Sequence, residues 1–236
     1  MRRSSVPIVA LTLAAALAPA APIAHGQSIP PAYSLKTTIP IPPWESLSTI
    51  NVDIVWADPG SHMLSIADRG GAAIQVFDTD SDTFIGSFAA GQFAGRLSSS
   101  TGGANGTTFV SSNEVIGSDG DSTLKLVNID TGEVQTISTG GSKRADEMAY
   151  DAATDRMVVA NPNDDPPFIT VLKIHPLQIL GKLEYPGAAG IEQPLLAGDG
   201  KFWQALPATP NNPGGQIDLI NTETASVERT IPTPDC

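Results

Sequence analysis

The sequence predicts an all-β fold, a β-propeller of four-stranded antiparallel blades. Two observations predict it. Four segments of the chain share one order of short apolar strands and polar turns. The composition, with 22 Gly and 20 Pro and only 16% charged residues, suits short strands cut by turns and leaves no convincing amphipathic helix.

The first segment runs through Ile54-Val55-Trp56, Met63 to Asp68, Ile74 to Asp78 and Phe84 to Phe88. The second has Thr107 to Val110, Glu114 to Gly117, Leu124 to Asn128 and Val134 to Ile137. The third has Met148 to Asp151, Met157 to Asn161, Ile169 to Leu172 and Ile179 to Leu183. The fourth has Pro194 to Leu196, Phe202 to Ala205, Ile217 to Asn221 and Val227 to Ile231. Ile74, Leu124, Ile169 and Ile217 stand 50, 45 and 48 residues apart, near the spacing of propeller blades. A single four-stranded sheet cannot bury both faces, so such units stack face to face around an axis. A sandwich would not repeat in blocks of four. Blades are expected at about 51–90, 104–139, 145–186 and 190–232.

Tyr33 to Pro40 reads as one further strand, similar to the outermost strands and suited to closing a ring. No inner strands follow to receive it, so a chain incomplete at its C-terminus is expected, with a closed four-bladed ring as the alternative.

The N-terminus reads as an address. Arg2 and Arg3 precede an uncharged apolar run, Val6 to Leu17, and Ala24-His25-Gly26 places small residues before Gln27. That is the order of a cleavable secretory signal over 1–26, with the propeller over 27–236 and a periplasmic or secreted location. No other stretch is apolar and long enough to span a membrane. The formal charge of −12 becomes about −14 without the signal, which opposes nucleic-acid binding. The lone Cys236 has no intrachain partner. A monomer is expected, with an unknown small molecule or protein as partner.

The search for chemistry is mostly negative. No CxxC, HExxH, GxSxG, Walker A or GxGxxG pattern occurs, and His62 and His175 fall in expected turns. Asp78-Thr79-Asp80-Ser81-Asp82 opens like an EF-hand loop, but lacks the Gly wanted before Phe84 and has Ala89 at the bidentate Glu position. Asn128-Ile129-Asp130-Thr131-Gly132 and Asn221-Thr222-Glu223-Thr224 occupy the same place, so this is read as a hairpin turn whose Asp or Asn caps its own backbone.

Polar residues head each innermost strand: Asp53, Asn105, Asp146-Glu147 and Glu192-Gln193. On a propeller these converge on one channel mouth, where they bind a ligand or merely cap strands and solvate the entrance. Of these, Asn105, Asp146 and Glu192 are the candidate oxygen ligands for a divalent cation such as Ca²⁺. No cofactor is required by the sequence.

Leu64-Ser65-Ile66-Ala67-Asp68, Ile74-Gln75-Val76-Phe77-Asp78-Thr79 and Phe84-Ile85-Gly86 resemble the YVTN-type repeat propellers, over nearly all of residues 33–234. That resemblance implies a fold shared by many functions. Asn105-Gly106 and Asp146 to Asp151 are similar to stretches of the senescence-marker-protein/gluconolactonase propellers, although Val52 stands where that family has a Glu. This second resemblance implies a metal-dependent lactonase, with Asp146 as its base. A ligand-binding propeller without established catalysis is the leading expectation and the lactonase the alternative.

Overall fold

The computed structural model describes residues 34–234. The chain divides into two units, residues 1–36 and 37–236. Of the first, only Ser34, Leu35 and Lys36 are described, and they are exposed with no regular structure. The proposed signal segment, Tyr33 and Cys236 lie outside the described residues.

The second unit is built from sixteen strands and one short 3₁₀ turn, Pro42–Ser46. Sheet 1 contains β1 (Val52–Asp58), β2 (Met63–Asp68), β3 (Ala73–Asp78) and β4 (Thr83–Phe88). Sheet 2 contains β5 (Thr107–Ser111), β6 (Glu114–Ser118), β7 (Thr123–Asn128) and β8 (Val134–Ser138). Sheet 3 contains β9 (Met148–Asp151), β10 (Arg156–Asn161), β11 (Phe168–Lys173) and β12 (Gln178–Glu184). Sheet 4 contains β13 (Pro194–Gly198), β14 (Lys201–Leu206), β15 (Gln216–Asn221) and β16 (Ser226–Pro232). Each is an antiparallel meander in chain order, and the grouping in fours read from the sequence is the grouping of the sheets. Among the described residues no helix is long and apolar enough to cross a membrane.

The strand expected over Tyr33 to Pro40 is not seen in its described part. Residues 34–40 carry no strand pairing. A strand needs donors for a ladder, and Pro40 ends the stretch without one, with Pro42 and Pro43 in the 3₁₀ turn just beyond it.

The tight turns have a chemical cause. Asp78 Oδ1 accepts from the backbone N–H of Asp80 and Ser81 at 2.9 and 2.7 Å. Asn128 Oδ1 accepts from Asp130 and Thr131 at 3.0 and 2.9 Å, and Asn221 Oδ1 from Glu223 at 2.9 Å. A short acceptor at the first turn position thus replaces the ladder that the strand has lost. The residue entering or just before the last strand has a left-handed backbone: Asp82 (φ 52), Gly132 (φ 74) and Ala225 (φ 47). This is the geometry of a hairpin closed by one αL residue. The EF-hand-like run is therefore a hairpin turn. In sheets 1, 3 and 4 the outer pair also slips register at the same place, after Val76, Val171 and Leu219.

Alternation along the strands assigns one face to each neighbouring sheet. Met157 and Val159 on β10 pack with Ile116, Leu124 and Leu126 of sheet 2. Val158 and Ala160, between and beyond them, pack with Phe202, Leu206 and Ile220 of sheet 4. Ile74 and Val76 of sheet 1 meet Val115 and Val127 of sheet 2, with Phe93 and Ala104 from the connecting segment. The middle strands of sheets 2 and 3 are thus buried on both faces, which explains their near-continuous apolar runs. Sheet 4 differs. Phe202, Gln204 and Leu206 are buried, while Trp203 and Ala205 on the other face are only half-buried.

A polar residue sits at the third position of every third strand: Gln75, Lys125, Thr170 and Asp218, all buried. Each has a partner. Gln75 donates to Asp68 at 2.7 Å, and Lys125 pairs with Asp119 at 2.5 Å while lying over the Phe93 ring. The Thr170 hydroxyl donates to the Thr139 carbonyl at 3.3 Å, and Asp218 accepts from Gln216 and Thr230. Buried groups of this kind are tolerated because most of their hydrogen bonds are met inside the protein; Gln75 Oε1 is the exception, buried without a partner.

Candidate functional site

The first strands of the sheets, β1, β5, β9 and β13, make successive contacts: β1 with β5, β5 with β9, and β9 with β13. The residues heading them are held in matching register. Asn105 N–H donates to Ser118 O, Asp146 N–H to Ala160 O and Glu192 N–H to Ala205 O, at 2.9 to 3.1 Å. Each sits just before its inner strand and bonds to its own sheet's second strand.

Two arginines engage the side chains of Asp53, Asn105 and Asp146 by charge-assisted hydrogen bonds. Arg69, in the turn after β2, pairs with Asp53, and its Nε donates to Asn105 Oδ1 at 2.8 Å. Asn105 Nδ2 donates in turn to Ala145 O at 2.8 Å. Arg144 Nη2 lies 2.6 Å from Asp146 Oδ2, and the Ser118 hydroxyl donates to the Asp146 backbone carbonyl. Sheets 1, 2 and 3 are tied together at this point. Gln193 Nε2 donates to Met148 O at 2.9 Å, which ties sheet 4 to sheet 3, and Gln204 donates to Glu192 O. The sequence reading missed Arg69 and Arg144. For Arg144 the signal was its place two residues before Asp146 in a strongly acidic chain; Arg69, 16 residues from Asp53, carried none.

Four carboxylates, those of Asp53, Asp146, Glu147 and Glu192, feel one another here against two guanidinium groups. Burial raises Asp146 to about 6, opposed by the Arg144 charge and reinforced by Asp53 and Glu192. Burial raises Glu147 to about 7, reinforced by Asp146, Glu192 and Asp53. Glu147 Oε2 and Arg144 Nε are buried with no hydrogen-bond partner. Glu192 is exposed.

Of the candidate cation ligands Asn105, Asp146 and Glu192, the first two each have an oxygen engaged by an arginine. A calcium ion needs six or more oxygens free to face it. Asn105 Oδ1 accepts from Arg69 and Asp146 Oδ2 from Arg144, so guanidinium groups hold two of the oxygens that an ion would take. Among the described residues no group of three or more His, Cys, Asp or Glu is arranged to hold a metal ion. The same ion pair engages one oxygen of Asp146, the residue the second resemblance implies as base of a metal-dependent hydrolase.

Two grooves lie along the inner strands. One, of about 470 Å³, is lined from all four of β1, β5, β9 and β13 and their turns, including Trp56, Asp58, Phe109, Tyr150, Asp151 and Leu196. The other, of about 640 Å³, is lined from β1, β9 and β13 and includes Asp53, Val55, Trp56, Tyr150, Gln193 and Leu195. Trp56, Tyr150 and Leu196 line both. Of the residues singled out in the sequence, Asp53 and Gln193 reach this second groove, while Asn105, Asp146, Glu147 and Glu192 do not line it. The apolar walls were not anticipated, since alternation alone marks inner-strand residues such as Trp56 and Leu195 as ordinary core.

No family model matches the chain, and no curated protein matches it. The function therefore has to be read from the site.

Proposed function

We propose that the four sheets are blades of a β-propeller of the YVTN-repeat kind, exported by a signal over residues 1–26, that binds a small ligand or a protein partner along its inner strands. The observation that carries this reading is the groove lined from all four inner strands. A binding site assembled from every repeat is how stacked-sheet folds bring separate segments to one place. Its lining fits recognition: Trp56, Tyr150 and Leu196 offer apolar surface, and Asp58 and Asp151 offer fixed acceptors.

The half-exposed apolar face of sheet 4 supports a ring of more than these four blades, since sheets 2 and 3 bury both of theirs. The engaged oxygens of Asn105 and Asp146 favour binding without metal-assisted hydrolysis.

A fragment screen by amide NMR on the full chain tests the binding reading. Shifts confined to Trp56, Phe109, Tyr150 and Leu196 are expected. Shifts confined to the outer strands β4, β8, β12 and β16 would place binding on the rims and overturn it. Export is tested separately by cell fractionation with and without residues 1–26.

A further inference from the structure

Resting on the reading of the inner-strand grooves as a ligand site, we infer that they take an organic cation: an amine head on an apolar body. The walls set the body. Val55, Trp56, Leu195 and Leu196 leave 37 to 66% of their surface open, an unusual concentration of large apolar side chains on four successive or facing strand positions. A ligand that covered them would bury apolar area that water now touches.

The charges set the head. Every ionisable side chain of ordinary charge at neutral pH that lines either groove is acidic: Asp53 in one, Asp58 and Asp151 in the other. No lysine or arginine lines them. Behind Asp53 stand Asp146, Glu147 and Glu192, four carboxylates against the two guanidinium groups of Arg69 and Arg144, so the excess charge at that end is negative. A low-dielectric wall beside such an excess focuses a cation toward it. Trp56 and Tyr150, shared by both grooves, add ring faces to which an ammonium group is attracted and a carboxylate is not. The same field opposes an anionic ligand, and the arginines' N–H groups are turned to Asp53, Asn105 and Asp146 instead of the groove lining.

This differs from a metal site. A metal needs several bare oxygens at fixed distance, whereas an ammonium group keeps part of its hydration and responds to net charge and ring faces.

The test compares three ligands of one shape on the full chain: 4-phenylbutylamine, 4-phenylbutanol and 4-phenylbutyrate. Dissociation constants are measured by calorimetry at low and at 0.5 M salt. The amine is expected to bind about tenfold more tightly than the alcohol at low salt, an advantage that shrinks with added salt, and the carboxylate least tightly. Glu147→Gln, which breaks no hydrogen bond at Oε2, is expected to weaken the amine severalfold and leave the alcohol unchanged. Trp56→Leu should narrow the gap between amine and alcohol while keeping the groove apolar. Equal binding of amine and alcohol would overturn the inference and leave the groove as a ligand site. Tightest binding of the carboxylate would overturn it in the opposite sense. No binding of any of the three at millimolar concentration would remove the ligand-site reading as well.

Discussion

Replacing Glu147 by Gln should stabilise the protein at neutral pH and do little in acid. Burial among like charges raises this carboxyl from 4.5 to about 7, so the folded state holds a proton that the unfolded chain releases near pH 4.5. Where the folded state binds more protons, stability falls as pH rises. The loss for Glu147 therefore begins near pH 4.5 and is complete above about pH 7. At about 1.4 kcal/mol per pH unit the full shift corresponds to about 3 kcal/mol. Glu147 is only half-buried, so solvent screening brings the expected effect to about 1.5 kcal/mol.

Gln keeps the shape and cannot ionise. Its advantage over the parent should be within about 0.5 kcal/mol at pH 5 and about 1.5 kcal/mol at pH 7.5, measured by urea unfolding at both pH values. Asp146, raised to about 6 by burial and coupled to Glu147, titrates in the same window, so the comparison is repeated in an Asp146→Asn background. Groups that do not touch Glu147 largely cancel between variant and parent. His175, raised by its bonds to Asp155 and Glu114 despite burial, makes stability fall as pH rises above about 6.5 in both proteins. Asp151 and Asp155, lowered by hydrogen bonds that outweigh their burial, act only below about pH 4. An advantage for Glu147→Gln that is the same at pH 5 and pH 7.5 would refute the argument, for Glu147 would then ionise as it does in water.

Three further predictions follow from the packing and the polar contacts. Adding 5 mM Ca²⁺ or a chelator should move the melting temperature by less than about 1 °C, because Arg69 and Arg144 hold the candidate ligand oxygens; a rise of several degrees with Ca²⁺ would restore the metal site. Met157→Ala, at a fully buried position between sheets 2 and 3, should cost about 2–5 kcal/mol in chemical unfolding. Lys125→Met leaves Asp119 buried without its cation and should cost about 3–5 kcal/mol, whereas Lys125→Met with Asp119→Asn should recover part of it. An exposed, replaceable pair would show no such recovery.

The strands were legible because their evidence is local. Alternating apolar residues between Asp, Asn and Gly turns write both the pleat and its ends into neighbouring positions, and Asp78, Asn128 and Asn221 cap backbone groups only two or three residues away. The four-by-four grouping followed from repetition of that pattern. The same pattern misled at residues 34–40, where residue types suit a strand but no pairing forms, and Pro40 with the 3₁₀ turn that begins at Pro42 ends the run.

The polar heads Asp53, Asn105, Asp146 and Glu192 could be picked out by position, yet their roles could not. Arg69 reaches Asp53, 16 residues away, across sheet 1, and Asn105, 36 residues away, only after sheets 1 and 2 have packed. Gln193, a ligand candidate in the sequence, bonds to a carbonyl 45 residues away and serves as a staple. Whether a carboxylate is a free acceptor, an ion-pair partner or a proton holder depends on what stands within a few ångströms and how much water remains. Local order determined the strands, their turns and their grouping, because ladders and caps are made between near neighbours. The grooves, the engaged oxygens and the raised carboxyls were decided only by the tertiary structure, because desolvation and long-range charge pairing exist only once the sheets have met.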